Sequence, residues 1–230
     1  VEIFPNRPDM LSAEGFARSL SSFMGIKKGL REYKINSSNY IVKQDKKTKK
    51  VRPCVVAAII KAVKLDDAAI KSLMQIQEKL HISHGRNRKK ISIGVYNLDT
   101  IKFPLIYTTK PINFKFNPLE SKKEYSLKEI LEKHPKGREF KHLLEDFKEY
   151  PIWLDANNQV LSMPPIINSE ETKLNEKAKN LFIDVTGTDL KACQEALNIL
   201  ITSLADRNGK IYQVKIDNKI YPDLKEKKLK

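Results

Sequence analysis

Residues Leu181-Phe-Ile-Asp-Val-Thr-Gly187 read as a β-strand that feeds a helix, with Thr188 or Asp189 capping an apolar-periodic segment to about Asp206. Side chains alternate across a strand, so Phe182, Asp184 and Thr186 share one face and Leu181, Ile183 and Val185 the other. The second set suits a core. The first is mixed, because a solvent face seldom needs Phe, whereas a half-lined pocket around Asp184 uses an apolar wall and a polar floor. An edge strand with a polar outer face is the competing reading. Gly187 and the helix start beyond it add backbone N–H groups suited to an anion or oxyanion.

Working outward, Tyr150–Asp155 and Gln159–Met163 form a hairpin turned by Asn157-Asn158, a pair that tolerates positive φ. Its second strand places Ser162 just ahead of Pro164-Pro165, a rigid corner that aims small polar groups. Ser126-Leu-Lys-Glu129 is a capping box opening a helix to Lys133, and a second helix runs from about Lys136 to Phe147. Ile91–Tyr96 and Leu105–Thr109 read as strands, and Pro53–Val63 as a buried one. Leu65-Asp-Asp67 caps a helix to about His81. Asp9 caps another through about Met24, stopped by Gly25. Lys27–Lys50 is polar, its Lys46–Lys50 end reads as an exposed loop, and the main domain boundary falls there. Lys210–Ile216 is a final strand before a Lys-rich tail. Strands and helices in mixed order predict an α+β fold, mixed sheets with packed helices.

The chain has 230 residues, 40% of them apolar, enough for one large domain or two small ones. The net charge of +15 favours a polyanionic partner, most simply nucleic acid, although a Lys-rich proteome explains it equally. No apolar run is long enough for a membrane span. Val1–Asp9 has neither an initiator Met nor the anatomy of a secretion signal, and resembles the start of a piece of a longer polypeptide. Cys54 and Cys193 lie far apart in apolar patterns and read as buried free thiols, which suits a cytoplasmic setting.

Few residues invite chemistry. His81 and His84 are spaced by three but lack a third ligand of zinc-type spacing, and His134 and His142 sit on Lys/Glu-rich helices, so no metal site is expected. No phosphate loop and no Ser-His-Asp or Cys-His set can be assembled. The run His84-Gly-Arg-Asn-Arg-Lys-Lys90 offers Arg86, Arg88, Lys89 and Lys90 to phosphates, or is simply a solvated loop. Aromatics are not interleaved with it, so base stacking there is unsupported.

Several stretches resemble the β subunit of archaeal and eukaryotic phenylalanyl-tRNA synthetase. They are Asn6–Asp9 with Ser12–Arg18, Gln75–Leu80, Ile91–Gly94, Leu161-Ser-Met-Pro-Pro-Ile-Ile-Asn-Ser169 and Phe182-Ile-Asp-Val-Thr-Gly187. They follow one another in the family's order over nearly the whole chain. The resemblance implies the fold of that subunit's editing module at 51–216. Residues 1–50 would be a helix and basic linker left from the preceding domain, and 217–230 a linker to later domains. It implies hydrolysis of tyrosine wrongly attached to the phenylalanine tRNA, with Ser162, Asp184 and Thr186 at editing-site positions and Trp153 at a pocket wall. It also implies a catalytic α subunit in a heterotetramer. ATP and magnesium belong to the full synthetase, with no cofactor expected in this piece. A non-catalytic tRNA-binding or subunit-bracing module is the alternative.

The physical problem such a module solves is a single hydroxyl. An apolar pocket rejects an added hydroxyl only ~100-fold, whereas a buried acceptor that would be left unpaired rejects the ring lacking it by up to ~10⁴–10⁵. Asp184 is the natural acceptor for a phenol, Trp153 and Phe182 are expected to supply apolar walls, and tyrosine is the expected ligand. No protein nucleophile is evident, so water held by Ser162 or Thr186 is the expected attacking group, with backbone N–H groups around Gly187 steadying the oxyanion. The neighbouring ribose hydroxyl is placed to assist. Ser162 as a covalent nucleophile is the rival.

Overall fold

A computed structural model of the chain describes residues 2–224. Two mixed β-sheets face each other, with helices on their outer sides. The five-stranded sheet runs, in spatial order, Ile35–Asn36, Lys210–Tyr212, Cys54–Lys61, Leu181–Gly187 and Ile91–Asn97. The seven-stranded sheet runs Ile167–Asn168, Val160–Met163, Glu149–Leu154, Leu105–Pro111, Ile41–Gln44, Val214–Ile216 and Lys219–Tyr221. The α+β expectation holds.

Leu181–Gly187 is no edge strand. It lies antiparallel between Cys54–Lys61 and Ile91–Asn97, and every residue in it is buried. One face packs toward the helix Leu190–Asp206, which brings in Ala196, Leu197 and Leu200. The other meets the second sheet, where Phe182 touches the rings of Trp153, Phe103 and Tyr96. The polar face therefore turns into a seam between sheets rather than into solvent. A second cluster, including Leu127, Ile130, Phe140, Ile152 and Leu154, covers the outer face of the seven-stranded sheet with the short helices Leu127–Lys133 and Pro135–Phe140.

The local signals that survive are those with a mechanism. Ser126 and Glu129 form the reciprocal capping box. Asp155 Oδ1 accepts from the backbone N–H groups of Asn157 and Gln159 and closes the hairpin, with Asn158 at φ +63°. Asp189 caps Leu190–Asp206, and Asp66 caps Asp67–Ile82. The first helix begins later than Asp9 implies: Ser12 is its cap, accepting from Gly15 N–H, and the helix is Ala13–Phe23.

Other expectations need correction. Residues 1–50 hold the expected helix but also more than a basic linker, since Ile35–Asn36 and Ile41–Gln44 are strands, one in each sheet. The Lys46–Lys50 turn is anchored by Thr48, which is fully buried. Lys210–Ile216 is two strands rather than one, stepping from the first sheet to the second at Gln213, alongside the same step made by 35–44. The tail begins with a further strand, Lys219–Tyr221, and residues 225–230 lie outside the described residues. The helix expected over Lys136–Phe147 ends at Phe140.

Ile91–Asn97 is the last strand of its sheet, and bare strand edges invite unwanted pairing. The helix Asp67–Ile82 covers this one with side chains: His81 Nε2 accepts the Ile93 N–H at 2.8 Å and Gln77 Nε2 donates to the Ile93 carbonyl at 3.0 Å. His81 must be neutral to accept, so its proton sits on Nδ1, which faces Glu78 at 3.3 Å. Burial holds its pKa down at about 4, against an ordinary 6.5. Between those values the unfolded chain takes a proton that the fold refuses. The fold is therefore expected to lose about 3 kcal/mol through this group as pH falls from 6.5 to 4. His81→Phe should cost about 2 kcal/mol at pH 7 by orphaning the Ile93 N–H. In urea unfolding the gap between the two proteins should close by pH 4.

Candidate active site

Asp184 sits at mid-strand, flanked across the ladder by Ala57 and Gly94, the smallest neighbours available. It is 1% exposed. Burial pushes its pKa up to about 7, opposed by a hydrogen bond from Tyr96, the nearby Trp153 indole and the charge of Arg52. Tyr96 Oη donates to Asp184 Oδ1 at 2.7 Å and lies 2.8 Å from Ser162 Oγ. With the Tyr96 O–H donating to the carboxylate, Ser162 Oγ donates across the second gap to Tyr96 Oη. Ser162, Tyr96 and Asp184 thus form one chain of hydrogen bonds crossing the seam between sheets.

The sequence makes this approach possible in two places. Ser162 is registered opposite Trp153 on the neighbouring strand, so both point into the seam. Gly94 stands two residues before Tyr96 on the same face, and a Cβ there would overlap both Tyr96 Oη and Asp184 Oδ1.

Thr186 is fully buried one step along. It accepts from Arg52 Nε at 3.0 Å and shares a proton with Ser92 Oγ at 3.1 Å. Arg52 also donates to the carbonyls of Thr186 and Arg88, and among the described residues it meets no carboxylate at ion-pair distance. Burial lowers its pKa, yet its charge still favours an ionised Asp184.

A cleft of about 220 Å³ opens over this group, lined by Asp184, Ser162, Tyr96, Gly94, Ser92 and the Pro164–Ile167 corner. That is smaller than the ~300–1,000 Å³ of drug-sized sites and on the scale of one amino-acid side chain. Of the residues expected to bind or act on substrate, Ser162 and Asp184 line it, whereas Thr186, Trp153, Phe182 and Gly187 do not. Thr186 lies beneath Ser92. Trp153 and Phe182 pack behind the cleft, with the Trp153 ring tilted against Tyr107, centroids 5.0 Å apart. The Trp153 indole N–H bears on the Asp184 carboxylate without closing to hydrogen-bond geometry. Gly187 packs against Lys90 and Cys193 away from the cleft, and the Asp189 carboxylate caps the helix start beside it, accepting from Ala192 N–H.

Arg88 is likewise placed otherwise than expected. Nη1 donates to the carbonyls of Pro165 and Ile166, Nη2 to Glu78, and the guanidinium covers the Phe140 ring at 4.3 Å. It pins the proline corner that walls the cleft and is not free for phosphate. Lys90 pairs with Asp189, leaving Arg86 and Lys89 as the exposed members of that basic run. Tyr96, Ser92 and Gly94 went unnoticed in the sequence, though period two puts them on one face of Ile91–Asn97. Among the described residues no group of three His, Cys, Asp or Glu side chains is placed to hold a metal, and no helix is long and apolar enough to cross a membrane.

A carboxyl whose folded pKa is raised weakens the fold above its unfolded value, by an amount that grows from about pH 4 to about pH 7 and then levels. Asp184→Asn keeps an acceptor for Tyr96 and removes that penalty. It should raise stability by about 4 kcal/mol at pH 8 and by little at pH 4, measured by chemical unfolding.

The chain is 46% identical over 219 residues to the phenylalanine–tRNA ligase β subunit of Pyrococcus furiosus, covering 95% of this chain and 39% of that protein. It is 44% identical over 232 residues to the same subunit of Methanosphaera stadtmanae, covering 98% and 42%. It therefore spans about two fifths of the curated relatives it matches. A crystal structure of an N-terminal fragment of the phenylalanyl-tRNA synthetase β subunit from Pyrococcus horikoshii superposes with a TM-score of 0.93 at 45% identity, over 97% of this chain and 66% of that one. The resemblance carried by the Leu161–Ser169 and Phe182–Gly187 stretches is thus upheld over nearly the full length. The B3/4 domain family matches residues 36–207, which include the strands and the proline corner that line the cleft, and to that family the chain belongs.

Proposed function

We propose that this chain is the editing module of a phenylalanine–tRNA ligase β subunit and hydrolyses tyrosine wrongly esterified to the phenylalanine tRNA. The observation that carries this reading is the buried Asp184 carboxylate at the base of a side-chain-sized cleft that Ser162 also lines. A carboxylate offers about four lone-pair sites, and Tyr96 fills one. A tyrosyl phenol entering the cleft donates to another in a charge-assisted bond. A phenylalanyl ring displaces water from the carboxylate and returns nothing, which is the basis of discrimination.

The reaction is ester hydrolysis by water. With its own proton on Tyr96, Ser162 Oγ turns lone pairs toward the cleft and accepts a hydrogen bond from the attacking water. The water oxygen bonds to the aminoacyl carbonyl carbon, the ester C–O bond to the ribose breaks, and the proton lost by water ends on the ribose oxygen. The neighbouring ribose hydroxyl is the nearest group to carry that proton. Thr186 acts one layer back, holding Ser92 at the cleft and Arg52 behind it. Arg86, Lys89 and the chain's excess positive charge serve the phosphates of the tRNA. The catalytic α subunit, ATP and magnesium belong to the synthetic reaction, which this reading places outside the chain, and the enzyme works in the cytoplasm.

Deacylation of tyrosyl- and phenylalanyl-tRNA by the full-length enzyme tests the proposal. Asp184→Ala should reduce the tyrosine-over-phenylalanine ratio by about 100-fold or more, mainly through slower tyrosyl-tRNA hydrolysis. Ser162→Ala should slow hydrolysis by about 10–100-fold while keeping the ratio. An unchanged ratio in the first variant removes Asp184 as the discriminator. An acyl group trapped on Ser162 would replace direct water attack by a covalent route. Binding without any hydrolysis by the unaltered enzyme would leave the bracing or tRNA-binding alternative.

A further inference from the structure

We propose that Tyr96 is a positioning residue of this site: its phenolic oxygen, fixed between Asp184 and Ser162, keeps Ser162 Oγ a pure hydrogen-bond acceptor toward the cleft, its proton turned away, only while Asp184 is ionised. The inference rests on the proposed esterase function and adds to it a coupling between the recognition carboxylate and the water-holding serine.

A phenol has one proton and two lone pairs, and both contacts of Tyr96 are within hydrogen-bond length, 2.7 Å to Asp184 Oδ1 and 2.8 Å to Ser162 Oγ. One proton cannot serve both. Facing a carboxylate, it goes to Asp184, because a charged acceptor binds a donor about twice as strongly as a neutral one. Ser162 then donates to Tyr96 and keeps its lone pairs for the cleft. Once Asp184 takes a proton and donates toward Tyr96, the chain reverses: Tyr96 donates to Ser162, and Ser162 presents a donor to the cleft. Only the first arrangement turns the Ser162 proton away from the cleft and leaves both lone pairs of Oγ to accept from water; the second spends one of them on Tyr96 and puts a competing donor in the cleft.

The phenol is a fixed part rather than a plug that swings aside. Tyr96 is 1% exposed, and its ring stacks on Phe182 with centroids 5.8 Å apart. Gly94 leaves the space its hydroxyl fills. The charged and titratable groups around the pair come from every packed element. Arg52 lies beside Thr186, Tyr107 on the facing sheet and Cys193 on the helix behind; His81, Arg88, Glu120, His134 and Lys136 line the cleft. Burial keeps His81 down at about 4 and pushes Cys193 up to about 12 and Tyr107 higher, which leaves Asp184, at about 7, as the buried group that changes charge near neutrality. His134 is the cleft-lining group that needs a control.

Two measurements test the coupling. In the isolated chain, carboxyl-carbon NMR titration of Asp184 should show its midpoint rising by about one unit or more in Tyr96→Phe, since the bond favouring the charged form is gone. In the full-length enzyme, the kcat for tyrosyl-tRNA hydrolysis should climb with pH through an inflection near that midpoint, and His134→Gln should retain the inflection. Tyr96→Phe should lower kcat by about tenfold or more, leave KM within about threefold and flatten the inflection. An unmoved Asp184 midpoint, or a Tyr96→Phe enzyme with the unaltered kcat and profile, overturns the coupling while the esterase reading stands. No tyrosyl-tRNA hydrolysis by the unaltered enzyme overturns both.

Discussion

A carboxylate buried between two β-sheets is the constraint around which this molecule is arranged. Removing Asp184 from water disfavours its charge, and the fold answers with a hydroxyl from Tyr96, an indole N–H nearby and the field of Arg52 rather than with an ion pair. A direct salt bridge would pin the carboxylate in the charged state and occupy its oxygens. The softer surroundings leave it close to neutrality in pKa, with acceptor sites to spare, which suits recognition of a neutral donor such as a phenol.

The surrounding structure follows from placing that group in a seam. Strands on both sides of it are small at the level of Asp184, with Ala57 and Gly94 in register, so the second sheet can bring Ser162 and Trp153 close. The seam stays together because two segments, 35–44 and 210–216, step in parallel from one sheet to the other. Buried guanidinium groups then act as fasteners. Arg52 ties Thr186 to the loop carbonyl of Arg88, and Arg88 ties that loop to the proline corner. Side-chain fastening of this kind also closes the free edge of Ile91–Asn97 through His81 and Gln77.

Much of this was legible along the chain, and the reason differs from case to case. The strand Leu181–Gly187, the hairpin closed by Asn157-Asn158 and the Ser126–Glu129 capping box rest on neighbours a few residues apart, so local chemistry suffices. Asp184 and Ser162 stood out as polar residues in apolar surroundings, and both face the cleft. The two-residue strand Ile35–Asn36 and the four-residue strand Ile41–Gln44 were illegible because a short polar strand has no periodicity of its own and exists through its partners. The basic run at 86–90 misled for a related reason: charge marks a side chain as costly to bury, but Arg88 is buried where backbone carbonyls converge from 77 residues away.

The amino-acid sequence by itself determined that Asp184 shares a strand face with Phe182 and Thr186, since alternation is a property of the backbone. It also determined, through the order of the Leu161–Ser169 and Phe182–Gly187 stretches, which proteins the chain is similar to. Only the tertiary structure decided that Tyr96 stands between Asp184 and Ser162, that Thr186 lies a layer deeper, and that Gly187 is outside the cleft. Those facts depend on register between strands far apart in the chain, where moving by one residue turns every side chain to the opposite face.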